Sequence, residues 1–295
     1  MIDGILLLDK PAGLSSTAAG LRVRHLLGAD KAGHVGSLDP LATGMLPICL
    51  GEATKLAAEI LEGDKVYRFG IGLGARTATG DAEGAVVETA GVPRLDSAMI
   101  ERVLQGFCGT SLQVPPMYSA IKQGGVPLYK RARAGETVER APRAVRIESL
   151  QRLEHTAQGI DCRVVCGKGT YVRVLAEDIA RALGTVGHVT ALRREQVQPF
   201  DPAALVTLEA VAGGGPLPLL PLVAGVPHLK RVILEPRAAQ RLAQGQVVDA
   251  TDALHCALNA TVCLESSAGV FLGLGRVVAP ARVAPKRLVA HKVSA

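Results

Sequence analysis

From Ala210 to Leu229 the chain runs twenty residues without a formal charge. That length suffices for a membrane-spanning helix. The composition forbids one: Gly213, Gly214 and Gly215 are consecutive, and Pro216, Pro218, Pro221 and Pro227 follow. Each proline removes a helix donor and clashes with the preceding turn. We read the stretch as a linker between two textures of sequence. Before it, apolar runs alternate with helical periodicities. After it, short apolar segments at 230–234, 254–264 and 268–278 are broken by Gly, Asn and Ser, which points to a small, mostly β module. The expected division is residues 1–226 and 227–295.

In the first part, Ile5-Leu6-Leu7-Leu8 reads as a buried strand ending in the Asp9-Lys10-Pro11 turn. Ser16 is expected to cap a helix that Gly28 stops. Further helices are expected at 53–62 and 97–105, and at 171–183, where apolar residues recur at 172, 175, 176, 179 and 183. Strands are expected at 66–73, 144–153 and 160–166, and loops at 33–44 and 74–84. With 48% hydrophobic residues but no Trp, four Phe and four Tyr, the core must be aliphatic. Each tyrosine is then rare enough to examine singly.

The 295-residue chain carries a net charge of +6, unevenly spread. Residues 122–146 hold seven basic and two acidic side chains, and residues 276–295 hold five basic and none acidic. These segments carry +10 together, so the remainder is acidic on balance. Concentrated positive charge suits a polyanionic partner. The segment 122–146 also holds Gly124-Gly125, Pro127 and Pro142, and reads as an exposed excursion with one short helix. The six cysteines form no C-x-x-C pair, which argues against structural zinc. With no apolar leader at Met1-Ile2-Asp3-Gly4, the expected compartment is the cytoplasm.

Motif chemistry narrows further. Gly70-Ile71-Gly72-Leu73-Gly74 follows a strand but opens no helix, so it is not a dinucleotide fingerprint. No phosphate-cradling Gly-Lys-Ser/Thr loop and no nucleophile elbow are present. The segment Gly33 to Gly44 stands apart, dense in turn formers around a single carboxylate, Asp39, with His34 five residues before it. From the residues alone, Asp39 either caps the next turn or acts as a lone carboxylate nucleophile or base on a rigid loop.

The run Gly36-Ser37-Leu38-Asp39-Pro40-Leu41-Ala42-Thr43-Gly44 resembles the signature of the TruB family of tRNA pseudouridine synthases. The likeness continues in order through Gly4 to Gly13, Leu46 to Lys55, Asp64-Lys65-Val66-Tyr67-Arg68, Pro115 to Lys122, Lys168-Gly169-Thr170-Tyr171-Val172-Arg173 and Leu192-Arg193-Arg194. Val283 to Leu288 resembles, more weakly, the small PUA domain of bacterial members. The resemblance implies an α+β pseudouridine synthase catalytic fold, a mixed and largely antiparallel sheet with flanking helices, followed by a PUA-like β-barrel. It implies isomerisation of uridine 55 in the tRNA T-loop by base flipping, with assistance to tRNA folding as a second role. No metal or cofactor is implied.

The resemblance assigns Asp39 as the catalytic carboxylate, Arg173 as its partner and Tyr67 as the active-site tyrosine. Tyr171 becomes a pocket wall and Leu192 an apolar contact to the base. His34 is placed against the T-loop and Lys10 close to the catalytic loop. An RNA-binding thumb at about 115–146 would use Lys122, Lys130, Arg131, Arg133, Arg140 and Arg143. The tail would use Arg282, Lys286, Arg287 and Lys292 toward the acceptor end. The expected partner is tRNA, bound by a monomer, with no membrane. One departure is Ala78, where many relatives carry Asp. A silent RNA-binding protein on the same fold is one rival. The other is a carboxylate-dependent hydrolase, which needs a second acid to activate water.

Overall fold

The computed structural model describes residues 2–290. In chain order the strands are β1 (Gly4–Lys10), β2 (Ala32–His34), β3 (Thr43–Leu50), β4 (Lys65–Leu73), β5 (Ala75–Thr77), β6 (Val86–Thr89), β7 (Gly109–Gln113), β8 (Lys122–Gln123), β9 (Val126–Pro127), β10 (Arg143–His155), β11 (Gly159–Cys166), β12 (Gly187–Val197) and β13 (Val206–Thr207). Then follow β14 (Arg231–Leu234), β15 (Val248–Asp249), β16 (Thr261–Ser266), β17 (Phe271–Ala279) and β18 (Arg282–Leu288). The helices are α1 (Ser16–Leu26), α2 (Ala57–Glu62), α3 (Ser97–Gln105), α4 (Leu128–Arg133), α5 (Val172–Ala182), α6 (Leu208–Ala212) and α7 (Pro236–Ala243).

The larger sheet runs β13-β1-β3-β12-β4-β11-β10-β7, with β2 added beside β3. It is mixed and largely antiparallel: among the described residues only β1–β13 and β3–β12 pair in parallel in it. Both faces are covered, and β1 shows why its apolar run is continuous. Successive strand side chains point to opposite faces. Leu6 and Leu8 join one cluster with Val23 of α1 and Ile179 of α5. Ile5 and Leu7 join the other with Leu56, Ile60, Val226 and Leu274.

The second sheet has the order β14-β16-β17-β18-β15. Its edge strands are not paired to each other among the described residues, so the expected barrel is a curled half-barrel. Leu274 of β17 is buried in the cluster under β1, so this sheet packs directly on the larger one. Lys286 of β18 reinforces the contact with an ion pair to Glu59 of α2 at 2.6 Å.

Several local expectations change. Ser15, not Ser16, caps α1, its hydroxyl accepting from the Ala18 amide at 3.2 Å. Residues 53–62 begin as a tight 3-10 turn and become helical only at Ala57. The loop at 74–84 contains β5, which pairs with β6. The uncharged stretch does not hang free: Leu220 and Ile5 exchange two backbone hydrogen bonds of 2.9 Å. A Cβ at Gly225 would lie 2.8 Å from Ile60 and 2.9 Å from Ile5, so only glycine lets this strap close onto β1. Among the described residues no helix is long and apolar enough to cross a membrane.

Candidate active site

The loop between β2 and β3 carries Asp39, and its backbone is fastened from several sides. Ser16, freed from capping, accepts from the Leu38 amide at 2.6 Å and donates to the Leu38 carbonyl at 2.9 Å. The Lys10 ammonium, fully buried, donates to the carbonyls of Pro11, Leu14 and Pro40 at 2.8, 2.7 and 3.3 Å. Burial pulls its pKa down to about 8, against the attraction of Asp39. Gly36 adopts φ +68°, a left-handed turn that glycine takes at little steric cost. Gly44 closes the loop where a Cβ would lie 2.2 Å from the Arg194 carbonyl oxygen.

This scaffold fixes what the Asp39 side chain contacts. Its carboxylate caps no turn. It takes a two-pronged pair from Arg173, Nε to Oδ2 at 2.9 Å and Nη2 to Oδ1 at 3.1 Å. Arg173 sits in the first turn of α5, whose apolar face of Val172, Leu175, Ala176 and Ile179 is buried in the sheet. The helix start is held without a side-chain cap of its own. Gln113 of β7 accepts from the Tyr171 amide at 2.8 Å and donates to its carbonyl at 3.2 Å. The Arg173 guanidinium also donates to the Thr79 carbonyl at 2.8 Å and the Tyr118 carbonyl at 2.7 Å. A planar donor fork is suited to this convergence of acceptors.

A second carboxylate, Asp81, lies 3.7 Å from Arg173 and is 3% exposed. It accepts from Thr79 Oγ1 at 2.5 Å and the Glu83 amide at 3.1 Å. These bonds hold the loop that contains Ala78. Arg173 is thus shared between two carboxylates. Burial pushes the Asp39 carboxyl above its ordinary value, Arg173 and Lys10 pull it back, and Asp81 adds to the rise.

Asp39 stands on the wall of a cavity of about 460 Å³ that Tyr67, Tyr171, Arg173 and Leu192 also line. Tyr67, on β4, has its phenol pushed up by burial. Leu192 and Arg194 alternate on β12 into this cavity, while Arg193 pairs with Asp9 at 2.9 and 3.0 Å. Arg143 and Lys168 stand at its rim. A second cavity of about 540 Å³ lies beyond Asp39 and includes Tyr129 and Arg133 of the thumb.

Six of the residues singled out in the sequence therefore meet at one cavity: Asp39, Tyr67, Tyr171, Arg173, Leu192 and, at the rim, Arg143. Others do not. Lys10 lies beneath the loop with no exposed surface, and its ammonium is spent on backbone carbonyls of that loop and of the preceding turn. His34 contacts Ser37 Oγ at 3.1 Å and lies outside the cavity lining, its pKa lowered by burial and by Arg194. In the thumb, Arg131 is held by the Gln123 carbonyl and Glu136, and Arg133 lies 5.9 Å over the Tyr129 ring. Lys122, Lys130 and Arg143 are exposed and Arg140 is half-buried. In the tail, Arg282 pairs with Asp249, Lys286 is taken by Glu59, and Arg287 is exposed. Lys292 lies outside the described residues. Sequence reasoning passed over Asp81, Arg194 and Lys65 as site residues. Arg194 and Lys65 fall inside family-like motifs, but nothing local marks them as buried.

Comparison with known proteins fits this geometry. Residues 24–172 match the model of the TruB family pseudouridylate synthase N-terminal domain. Residues 173–214 and 231–289 match the tRNA pseudouridylate synthase B C-terminal domain and the pseudouridine synthase II TruB C-terminal models. The chain is 47% identical over 292 residues to tRNA pseudouridine synthase B of Chromohalobacter salexigens, covering 98% of this chain and 94% of that protein. The chain belongs to the TruB family. Its relatives include tRNA pseudouridine synthase B of Pseudomonas aeruginosa, 45% identical, covering 98% of this TruB-family chain and 96% of that protein. The fold also matches a chain from the crystal structure of a Cbf5–Nop10–Gar1 complex, with a TM-score of 0.74 at 23% identity over 98% of this chain and 84% of that one. This TruB-family protein is therefore a pseudouridine synthase, an isomerase, with a PUA-like C-terminal sheet.

Proposed function

We propose that this enzyme converts uridine 55 in the T-loop of tRNA to pseudouridine, with Asp39 as the acting carboxylate. The observation that carries the reading is the Asp39–Arg173 pair in the wall of a cavity large enough for a nucleoside. The reaction breaks the C1′–N1 bond, turns the base and rejoins it through C5. A positioned carboxylate serves this chemistry by bonding the sugar or base, or by taking the C2′ proton. A base stacked in an RNA loop does not reach such a recess, so the nucleotide is extruded. Tyr67 and Leu192 then enclose the uracil, Tyr171 walls the ribose side, and Arg173 keeps Asp39 ionised and aimed.

The alternative of hydrolysis loses support here. Asp81, the carboxylate that shares Arg173 with Asp39, is engaged by its hydrogen bonds and by that guanidinium and is not placed to activate water. The names of the relatives support tRNA as substrate. We assign catalysis to residues 1–226 and acceptor-end contacts to 227–295, with Arg287 free to reach RNA and Lys286 serving the contact between the sheets. The experiment is release of tritium from C5 of a T-arm transcript. Release from the uridine transcript, and none when cytidine replaces the target, is the expected result; no release despite binding refutes it.

The thumb gives a further prediction. Arg133 reaches the second cavity, whereas Arg131 is tethered to its own segment. Arg133→Glu is expected to weaken tRNA binding more than Arg131→Glu, and to flatten the dependence of log K on log salt by about one unit or more. Filter binding across a salt series reads this directly. An unchanged slope removes Arg133 from the footprint.

A further inference from the structure

Arg194 is the largest side chain with essentially no exposed surface. It donates from Nε to the Met45 carbonyl at 2.7 Å and from Nη2 to the Gly36 carbonyl at 2.8 Å. Among the described residues no carboxylate pairs with it. Lys65, 4% exposed, lies nearby with its ammonium on the Leu61 and Gly63 carbonyls, again without a carboxylate. Two buried cations without an ion-pair partner among the described residues line the same cavity as Asp39 and Tyr67. Such charges are costly to bury, and an anion arriving in the cavity would offset that cost.

Arg194 sits directly opposite Tyr67 in the β4–β12 ladder, and both side chains line the cavity. The charged or titratable groups that face the phenol are Arg194 from β12, Cys166 from β11 and Asp39 from the loop. A guanidinium only donates. A hydrogen bond between the two can only run from Arg194 to the phenol oxygen, which leaves the Tyr67 O–H to donate into the cavity.

We infer that Arg194 is a positioning residue that polarises Tyr67, so that the Tyr67 O–H stabilises the uracil as it leaves the sugar as an anion. This rests on Asp39 acting in pseudouridine formation, the function proposed for the site. When the C1′–N1 bond breaks, its electron pair stays on the base and spreads to the base carbonyl oxygens. The sugar is balanced by a bond from Asp39 to C1′, or by loss of the C2′ proton to Asp39. The turned base then bonds C1′ through C5 as any Asp39–C1′ bond breaks, any proton taken from C2′ returns, the C5 proton leaves to water, and N1 takes up a proton. Donors fixed in a water-excluded site are most effective where charge develops, and Arg194, with Lys65 behind it, provides that field.

The test compares T-arm RNAs carrying uridine or 5-fluorouridine at the target under single-turnover conditions. Consumption of the target nucleoside is read by digestion and chromatography. Fluorine draws charge from the ring and stabilises the anion without help from the enzyme. Arg194→Met is expected to slow the uridine substrate by about 10²-fold with RNA affinity unchanged, and the fluorinated one by less than about tenfold. Arg194→Lys, which keeps the cation, recovers most of the uridine rate. Equal slowing of both substrates in a folded Arg194→Met protein means that Arg194 only tethers the Gly36 loop, and overturns the inference. If Arg194→Met does not fold, Lys65→Met and Arg194→Lys take its place: selective slowing of uridine supports the inference, and equal slowing of both RNAs overturns it. Wild-type protein that consumes neither RNA refutes the proposed function itself, a result distinct from failure of the variant pattern alone.

Discussion

Asp39→Asn is expected to abolish tritium release while leaving the folded protein and its RNA affinity in place. The loss should be at least about 10⁴-fold, which corresponds to more than roughly 5 kcal/mol of transition-state stabilisation. The substitution keeps the shape of the side chain and removes the charge on which the proposed chemistry depends. The Asp39 carbonyl still closes its turn with the Ala42 amide, so the loop does not depend on the carboxylate. Stability moves the other way from activity. Burial lifts the Asp39 carboxyl above its unfolded value. Ionised Asp39 therefore opposes folding at neutral pH, and that opposition fades as the pH falls through the raised value. The neutral amide carries no such penalty. The variant's Tm at pH 7 should be no lower than the wild type's, and any difference should shrink on acidification. Calorimetry across pH beside the tritium assay checks both. Retention of more than about a hundredth of the activity removes Asp39 from the reaction.

Arg173→Met is expected to damage activity and stability together. Arg173 is 5% exposed and answers two carboxylates and two backbone carbonyls. Removing it leaves Asp39 and Asp81 facing each other with no cation between them. Breaking a buried pair in this way costs roughly 3–5 kcal/mol. At about 2–4 °C per kcal/mol, Tm falls by on the order of 10 °C. Without Arg173 the Asp39 pKa rises further, so the surviving activity should also shift its optimum toward higher pH. Arg173→Lys restores a cation but not the fork, and should recover stability more than rate. A Tm unchanged in Arg173→Met would show that the two carboxylates are solvated or protonated without it.

Most of the element plan was legible because it rests on local patterns. The run Ile5 to Leu8 announced a buried strand, and the periodicity from Val172 onward announced α5. The errors fell where a residue's partner was distant. Ser16 looks like a helix cap because its sequence neighbours suit one. The structure gives the cap to Ser15 and turns Ser16 toward Leu38, twenty-two residues away. The uncharged stretch reads as a linker because nothing local says that Leu220 bonds to Ile5. Lys286 counts as basic in any sequence tally, yet Glu59 claims it across 227 residues.

The segment around Asp39 divides in the same way. By itself the sequence determined the tight loop around Asp39, the scarcity of tyrosines, the concentration of positive charge and the likeness to one family. Turn formers, composition and motifs are properties of neighbours along the chain. Only the tertiary structure decided that Asp39 pairs with Arg173 rather than caps a turn, that Asp81 shares the same guanidinium, and that Arg194 is buried without a counter-ion beside Tyr67. Those facts depend on distances between groups up to 158 residues apart and on which of them water reaches. Charge and hydrogen bonding act through space, and the sequence does not fix that geometry until the sheet has brought β3, β4 and β12 together.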